Sequence, residues 1–322
     1  MITSHIITIT FSPAIDKSAS VPLLIPEKKL TCTAPVYEPG GGGINVARAI
    51  KRLGGNAIAI YPAGGYTGKL LTTLLTDEKV DVLPIETKEH TRENITIKET
   101  VTNNQYRFGM PGVSASSSVY KKCLKLIEQQ QAPAYIVVSG SLPPGVPPDI
   151  FKKIAEISQA KNARLIVDTS GEALKQALKA GVYLIKPNLK ELANLSGLQV
   201  LAVDDAERAA KEVLNKYKCE VIVTSLGAEG AFLVTPSMSL KIKVPTVKTE
   251  STVGAGDSML AGIVYSLFDS RSLTDAARYG VACGTAATMN PGTELCHLKD
   301  VEKLYQIISQ NEQRHGHEKK TE

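Results

Sequence analysis

The segment STVGAGDSMLAG, residues 251–262, places Gly254, Ala255, Gly256 and Asp257 directly ahead of apolar residues at 259, 260, 263, 264, 267 and 268. That spacing predicts a helix. The two glycines permit backbone shapes that side chains forbid. The stretch therefore reads as a turn feeding a helix N-terminus, where backbone N–H groups lack intrahelical partners. Asp257 has two readings there. It is an N-cap, because aspartate is favoured at that position, or it is a base beside an anion-binding turn.

Two further stretches could do chemistry. EPGGGGINVARAIKRLGG, residues 38–55, carries glycines at 40–43 ahead of a helical pattern ending at Gly54. Bare backbone at Gly41 and Gly42 lets a ligand approach closely. Asn45 falls in the first helical turn, where its amide can bond ligand hydroxyls. A hinge for a moving lid is the other reading. In KPNLKEL, residues 186–192, Asn188 and Glu191 stand three apart, as a capping box requires. Alternatively, Glu191 helps hold water around a magnesium ion, which commonly keeps several waters. Two nucleotide-loop patterns fail. AGGYTGKLL, residues 63–71, has Ala63 and Leu70 where a phosphate loop needs Gly and Ser or Thr, and Gly254-Ala255-Gly256 lacks a third glycine because position 259 is Met.

These residues need a scaffold. Strand-like runs occur at 5–11, 57–61, 134–140, 164–170, 182–188 and 220–227, several of them continuously apolar, as buried parallel strands are. Helical patterns occupy 44–53, 67–75, 118–130, 148–160, 171–180, 189–196 and 204–217. The alternation predicts an α/β fold, a mostly parallel sheet with helices on both faces. Ligands in such sheets bind beyond the carboxyl ends of the strands. Those ends carry Ser139-Gly140, Asp168-Thr169-Ser170, Lys186-Pro187-Asn188 and Thr224-Ser225. Residues 93–110 break the alternation and read as a hairpin turning at Asn103-Asn104, since Asn tolerates positive φ. Together with the extended, proline-rich residues 17–38 they predict a small second sheet, a lid from insertions at about 17–38 and 90–110. The organisation expected is one domain over residues 1–310, with a polar, disordered tail at 311–322.

Composition excludes several classes. The 322 residues are 43% hydrophobic and carry a net charge of +5 that is not gathered into a stripe. With aromatics at 5% and no Trp, a nucleic-acid surface is not expected. No run reaches the ~18 apolar residues of a membrane span. Five scattered cysteines without a C-x-x-C suit reduced thiols in a cytoplasm.

Taken in order, GGGINVA (41–47), KPNLKEL (186–192) and STVGAGDSMLAG (251–262) resemble the signatures of the ribokinase-like sugar kinases, the PfkB family. The resemblance runs from about residue 5 to about residue 308. It implies a ribokinase-like fold with a small β-sheet lid, and ATP and Mg²⁺ as cofactors. Asp257 would be the base, with the amides of Ala255, Gly256 and Asp257, following Gly254, stabilising charge on the transferred phosphoryl group. Asp16, Gly41, Gly42, Asn45 and Ser139 would bind the sugar. Lys186, Asn188, Ser225, Gly227, Gly230 and Gly284 would line the ATP path, with Glu191 reaching Mg²⁺ through water. Ser251, Val253, Ala287, Asn290 and Gly292 would correspond to a potassium site. TCTAPVYEPGGGGINVARAI, VVSGSLPPGV and VDTSGEAL are similar to the branch that phosphorylates fructose 6-phosphate at its 1-hydroxyl, giving the 1,6-bisphosphate.

Charge logic supports an anionic substrate. Arg92 and Arg107 lie in the lid hairpin and Lys29 in the other insertion, and Arg forks suit phosphate. The neighbouring readings are a tagatose-6-phosphate or fructose-1-phosphate kinase. A non-catalytic sugar-phosphate-binding regulator and a Rossmann-type oxidoreductase are the readings from other classes. A two-stranded ribbon is barely stable alone, so a homodimer formed through the lid is expected, with no nucleic-acid or membrane partner.

Overall fold

Apolar runs of period two and stretches of period 3.6 become strands and helices because each spacing puts its apolar side chains on one face. A computed structural model describes residues 5–147 and 149–318, with side chains to residue 310. In chain order the elements are β1 (His5–Ile9), β2 (Ala14–Val21), β3 (Val36–Gly40), α1 (Gly42–Arg52), β4 (Ala57–Gly64), α2 (Gly65–Asp77), β5 (Asp81–Thr87), β6 (Arg92–Glu99), β7 (Gln105–Phe108), α3 (Ser117–Gln129), β8 (Pro133–Ser139), α4 (Ile150–Ala160), β9 (Arg164–Asp168), α5 (Gly171–Ala180), β10 (Val182–Ile185), α6 (Leu189–Ser196), α7 (Ala206–Lys216), β11 (Cys219–Ser225), β12 (Ala231–Val234), β13 (Ser239–Ile242), α8 (Ala255–Phe268), α9 (Leu273–Thr288) and α10 (Leu298–Glu318).

Nine strands form the main sheet in the order β13-β12-β11-β10-β9-β8-β1-β4-β5. It is parallel except for β12 and β13, which return antiparallel. Every interior strand is sandwiched, so its side chains alternate between two cores. Ile6, Val137, Ile166, Leu184 and Val223 pack with α1, α8, α9 and α10. Ile7, Val138, Val167, Ile185 and Ile222 pack with α3 to α7. The ribokinase-like α/β architecture expected from the sequence is thus the one observed. The strands missing from the sequence reading are β5, β12 and β13. β5 is an edge strand carrying Pro84, which breaks the apolar run but is tolerated where no partner needs its N–H.

The second sheet has the order β3-β2-β6-β7. The Asn103 turn takes the expected positive φ, 60°. Register gives this sheet two unlike faces. Asp16 pairs with Glu38 and Asn94 on one face, and Lys17 with Tyr37 and Ile95 on the other. Ile95 then faces Phe108, and Ile97 faces Tyr106. The outer face is thus aromatic and aliphatic, and the inner face is polar.

One expectation is corrected at the C-terminus. Helix α10 runs to Glu318, so the backbone of 311–318 is helical where the polar composition suggested a disordered tail. Val301, Leu304 and Ile308 are buried and anchor the helix, and a nucleated helix extends at little cost per residue. Residues 319–322, and Pro148 within the expected helix 148–160, lie outside the described residues.

Candidate active site

Strand order reverses around β1, which has β4 on one side and β8 on the other. Such a switch point opens a crevice beyond the strand ends. The glycine run crosses it in close contact. A Cβ on Gly42 would lie 2.3 Å from Ser139 Oγ and 2.7 Å from the Gly140 nitrogen, and one on Gly43 would lie 2.5 Å from the Ile9 carbonyl oxygen. Gly41 has φ +114°, a region that favours glycine. The Ile44 N–H donates to Thr10 Oγ1 at 2.8 Å. These glycines therefore let α1 start directly against the strand ends.

That seating aims Asn45 at Asp257. The Asn45 Nδ2 group donates to Asp257 Oδ2 at 2.9 Å. The N-cap of α8 is Gly254 in the left-handed region, and no side chain caps this helix. The capping reading of Asp257 is therefore set aside. The carboxylate sits in the first turn and points across to α1, beside N–H groups that carry the positive end of the helix dipole. Part of Asp257 stays open. Burial raises its pKa to about 6, reinforced by the Asp168 and Asp16 charges and opposed by Asn45 and Lys186.

Lys186, directly after β10, is buried at 6% exposure and pairs with Asp168 Oδ2 at 3.4 Å. A Cβ on Gly256 would lie 3.3 Å from Lys186 Nζ. Glycine there lets the ammonium stand beside the first turn of α8. Burial works against this ammonium, but Asp168, Asp257 and Glu191 together push its pKa above the ordinary lysine value. Asn188 and Glu191 form a complete capping box, each side chain bonding the other's backbone N–H at 2.9 Å. Glu191 is also in the site's field: burial and Asp168 raise its pKa while the box and Lys186 lower it. Capping and ligand contact are thus compatible. Ser225 lies against this segment, its N–H donating to the Pro187 carbonyl at 3.0 Å. Gly227 has φ +62° in the turn after β11. At Gly230 a Cβ would meet the Ile242 carbonyl oxygen at 1.9 Å, and at Gly284 one would meet the Ala255 oxygen at 3.1 Å. Those two glycines thus serve close packing, of β13 and of α8 on α9.

Asp16, on β2, lies over Gly40, where a Cβ would fall 2.4 Å from its carboxylate. Asn94 Nδ2 donates to Asp16 Oδ1 at 2.8 Å. Burial nonetheless raises the Asp16 pKa. The two lid arginines are placed differently. Arg92 donates to the carbonyls of Met110 (2.6 Å), Ser12 (3.1 Å) and Pro13 (3.4 Å), tying the lid to β1's exit. Arg107 is on the inner face but exposed on the edge strand, with its guanidinium on Gln105. The Arg92 charge acts on Asp16, lowering its pKa against the effect of burial, but neither arginine has a described hydrogen bond to Asp16, Asn45 or Asp257. Beneath the lid's inner face lies a cavity of about 450 Å³, lined in part by Ser18, Glu38, Thr96, Lys98, Arg52 and Glu294. A cavity of about 800 Å³ at the opposite strand ends, lined by Arg164 and Tyr183, shares no residue with this cluster.

Two ion expectations can be weighed on the donors present. No group of three or more His, Cys, Asp or Glu gathers among the described residues. A single carboxylate such as Glu191 fits an ion held mainly by phosphates and water. Ser251, Val253, Ala287, Asn290 and Gly292 do come together between the strand ends and α9. Ser251 Oγ donates to the Gly292 oxygen at 2.6 Å and accepts from Val253 N–H at 3.2 Å, and the Asn290 N–H donates to the Ala287 oxygen at 3.2 Å.

Sequence reasoning missed Arg48, Glu38 and Glu78, and placed Asp168 only on the rim. Arg48 is 1% exposed, which a helical pattern full of small and charged residues does not announce. The one available signal was Asp168's position ending an apolar strand.

A doubly wound sheet whose switch point gathers a half-open carboxylate, an uncapped helix start and a buried lysine defines a carbohydrate kinase. The chain belongs to the pfkB family of carbohydrate kinases, whose pattern matches residues 7–300. It is 44% identical over 306 residues to the ATP-dependent 6-phosphofructokinase isozyme 2 of Escherichia coli (strain K12), covering 95% of this chain and 99% of that one. The crystal structure of E. coli phosphofructokinase-2 in complex with potassium superimposes with a TM-score of 0.91 over 95% of this chain and 100% of that one. The 1-phosphofructokinase of Bacillus subtilis (strain 168) is 32% identical, covering 90% of this chain and 95% of that one.

Proposed function

We propose that this chain transfers a phosphoryl group from ATP to the 1-hydroxyl of D-fructose 6-phosphate, giving fructose 1,6-bisphosphate and ADP. The observation that carries the chemistry is the Asp257 carboxylate, fixed by Asn45 beside the uncapped start of α8. The similarity to 6-phosphofructokinase isozyme 2 supports the substrate.

Phosphoryl transfer is mostly positioning and charge stabilisation. Asp16 and Asn45 hold the sugar so that its hydroxyl meets Asp257, which takes the proton as the bond to phosphorus forms. The N–H groups of Ala255, Gly256 and Asp257 face the charge on the moving group, as fixed dipoles that need no reorganisation. Lys186 is kept cationic by Asp168 and balances phosphate charge. Asn188, Ser225 and Gly227 border the nucleotide. Mg²⁺, when bound, neutralises nucleotide phosphate, with Glu191 orienting its water. The Ser251–Gly292 loop is a potassium site, a reading supported by the potassium complex of the similar structure.

The protein works as a homodimer through the outer face of its lid. Tyr37 (38% exposed), Phe108 (49%) and Tyr106 (39%) support this, since such a face is otherwise left in water. Five free cysteines, four of them buried, support a reducing cytoplasm, and no helix among the described residues is long and apolar enough to cross a membrane. ADP release measured across fructose 6-phosphate, fructose 1-phosphate, tagatose 6-phosphate and ribose tests the reading. The highest kcat/KM is expected for the first. Preference for fructose 1-phosphate would move the chain to the 1-phosphofructokinases, and no turnover with any would leave a binding regulator.

A further inference from the structure

Among the described residues Arg48 is the largest fully buried side chain, and the proposed reaction uses it neither as the base nor as a direct ligand of sugar or nucleotide. Its guanidinium is held by Glu78 at both ends, Nε to Oε2 at 2.8 Å and Nη2 to Oε1 at 2.7 Å. Nη1 then donates to the Pro39 carbonyl at 2.8 Å and to Asn45 Oδ1 at 3.3 Å. Asn45 in turn donates to Asp257. A continuous relay thus runs from Glu78, the residue after α2, along one face of α1 to the base.

The chemistry of the groups makes this relay directional. A guanidinium only donates and does not lose its proton. An asparagine amide is nearly symmetric in shape but has one donating and one accepting end. With Arg48 on one side and a carboxylate on the other, a single orientation satisfies both. The opposite flip would set NH₂ against guanidinium and oxygen against carboxylate. We infer that Arg48 is a positioning residue for catalysis: it sets the orientation of the Asn45 amide, and so holds the Asp257 carboxylate aimed and ionised. The inference rests on Asp257 being the base of the proposed reaction.

The same guanidinium holds the end of β3 through Pro39 and stands 3.6 Å from Glu38 Oε1. Loss of that contact would act on sugar binding. Loss of the amide orientation would act on turnover and on the pH dependence of Asp257. The two effects are separable.

The test compares R48M, N45A and R48M/N45A, with R48M/E78M to remove both partners of the ion pair should R48M alone not fold. With the relay in place, R48M and R48M/E78M lower kcat about tenfold, the weight of one well-aimed hydrogen bond. They move the acid limb of the pH–rate profile upward, and R48M adds nothing in the N45A background. A folded R48M or R48M/E78M with wild-type kcat and acid limb overturns the inference, as do losses that multiply in R48M/N45A or a change confined to KM for sugar phosphate. The Asp257 carboxyl titration, followed by ¹³C NMR, reads the relay without turnover. An upward shift in the variant is expected, and an unmoved titration overturns the relay. Wild-type protein inactive on every sugar phosphate would count against the function and not against this titration.

Discussion

Lys186 Nζ and Asp168 Oδ2 meet at 3.4 Å beneath the first turn of α8, at the ends of neighbouring parallel strands. Each group makes the other's charge tolerable in a buried place. Removing one partner of such a pair leaves a stranded charge. Lys186→Met is expected to cost about 3 kcal/mol of stability and to raise KM for ATP more than KM for sugar phosphate. Denaturant melts and steady-state kinetics check both parts, and an unchanged KM for ATP would remove Lys186 from the nucleotide path.

Asp257→Asn is expected to lower kcat at least ~100-fold, as loss of a proton acceptor does. ATP affinity, measured by calorimetry, stays near wild type because the amides of α8 are untouched. Near-normal turnover in this variant would end the assignment of Asp257 as base.

The pH dependence follows from the raised pKa of Asp257, about 6. The base must be ionised, so kcat/KM is expected to fall as pH drops through about 6, well above the range of an ordinary carboxylate. The stability effect has the opposite sense. The folded state holds this proton more tightly than the unfolded chain, so ionisation destabilises the fold as pH rises from the unfolded pKa, near ~4, to the folded one. Asp257→Asn should therefore melt above wild type at pH 7.5, with the gap closing as pH falls from about 6 toward ~4. A gap independent of pH would contradict the buried-carboxylate account.

Gly40→Ala directs a methyl at the Asp16 carboxylate, 2.4 Å from its nearer oxygen. KM for the sugar substrate is expected to rise at least ~10-fold, given that overpacking of this kind typically costs 1–3 kcal/mol. KM for ATP should change little. Equal effects on both substrates would mean that Asp16 does not serve the sugar alone.

Phe108→Asp places a charge in the outer face of the lid. Sedimentation is expected to show dissociation to monomers, because an unpaired charge in a desolvated apolar interface costs several kcal/mol. An unchanged dimer would place the interface elsewhere.

Much of the main fold was legible because its signals are local. The apolar runs at 5–11 and 164–170 and the helical spacing after Asp257 each lie within a dozen residues, and all recur as strands or helices. β5 and the β12–β13 return were hidden for the same reason. Pro84 interrupts one, and the other two are only four residues each. In the site, Asp257, Asn45 and Glu191 stood out through spacing and glycine context, and Lys186 through its place at a strand end and the resemblance of KPNLKEL to the family. Arg48 and Asp168 did not, since a buried arginine reads like any helical surface charge until its partners are known.

The sequence by itself determined the strand–helix alternation from 5 to 227, which of those faces are apolar, and that GAGD opens a helix, because backbone propensity and side-chain periodicity act over a few neighbouring residues. Only the tertiary structure decided that Asn45 reaches a carboxylate 212 positions away, that Lys186 finds Asp168, and that Arg92 spends its donors on backbone carbonyls. Those contacts depend on the order of strands in the sheet and the depth at which each side chain is buried. Both are set by how crossovers pack against one another, a property of the whole chain that no local segment encodes.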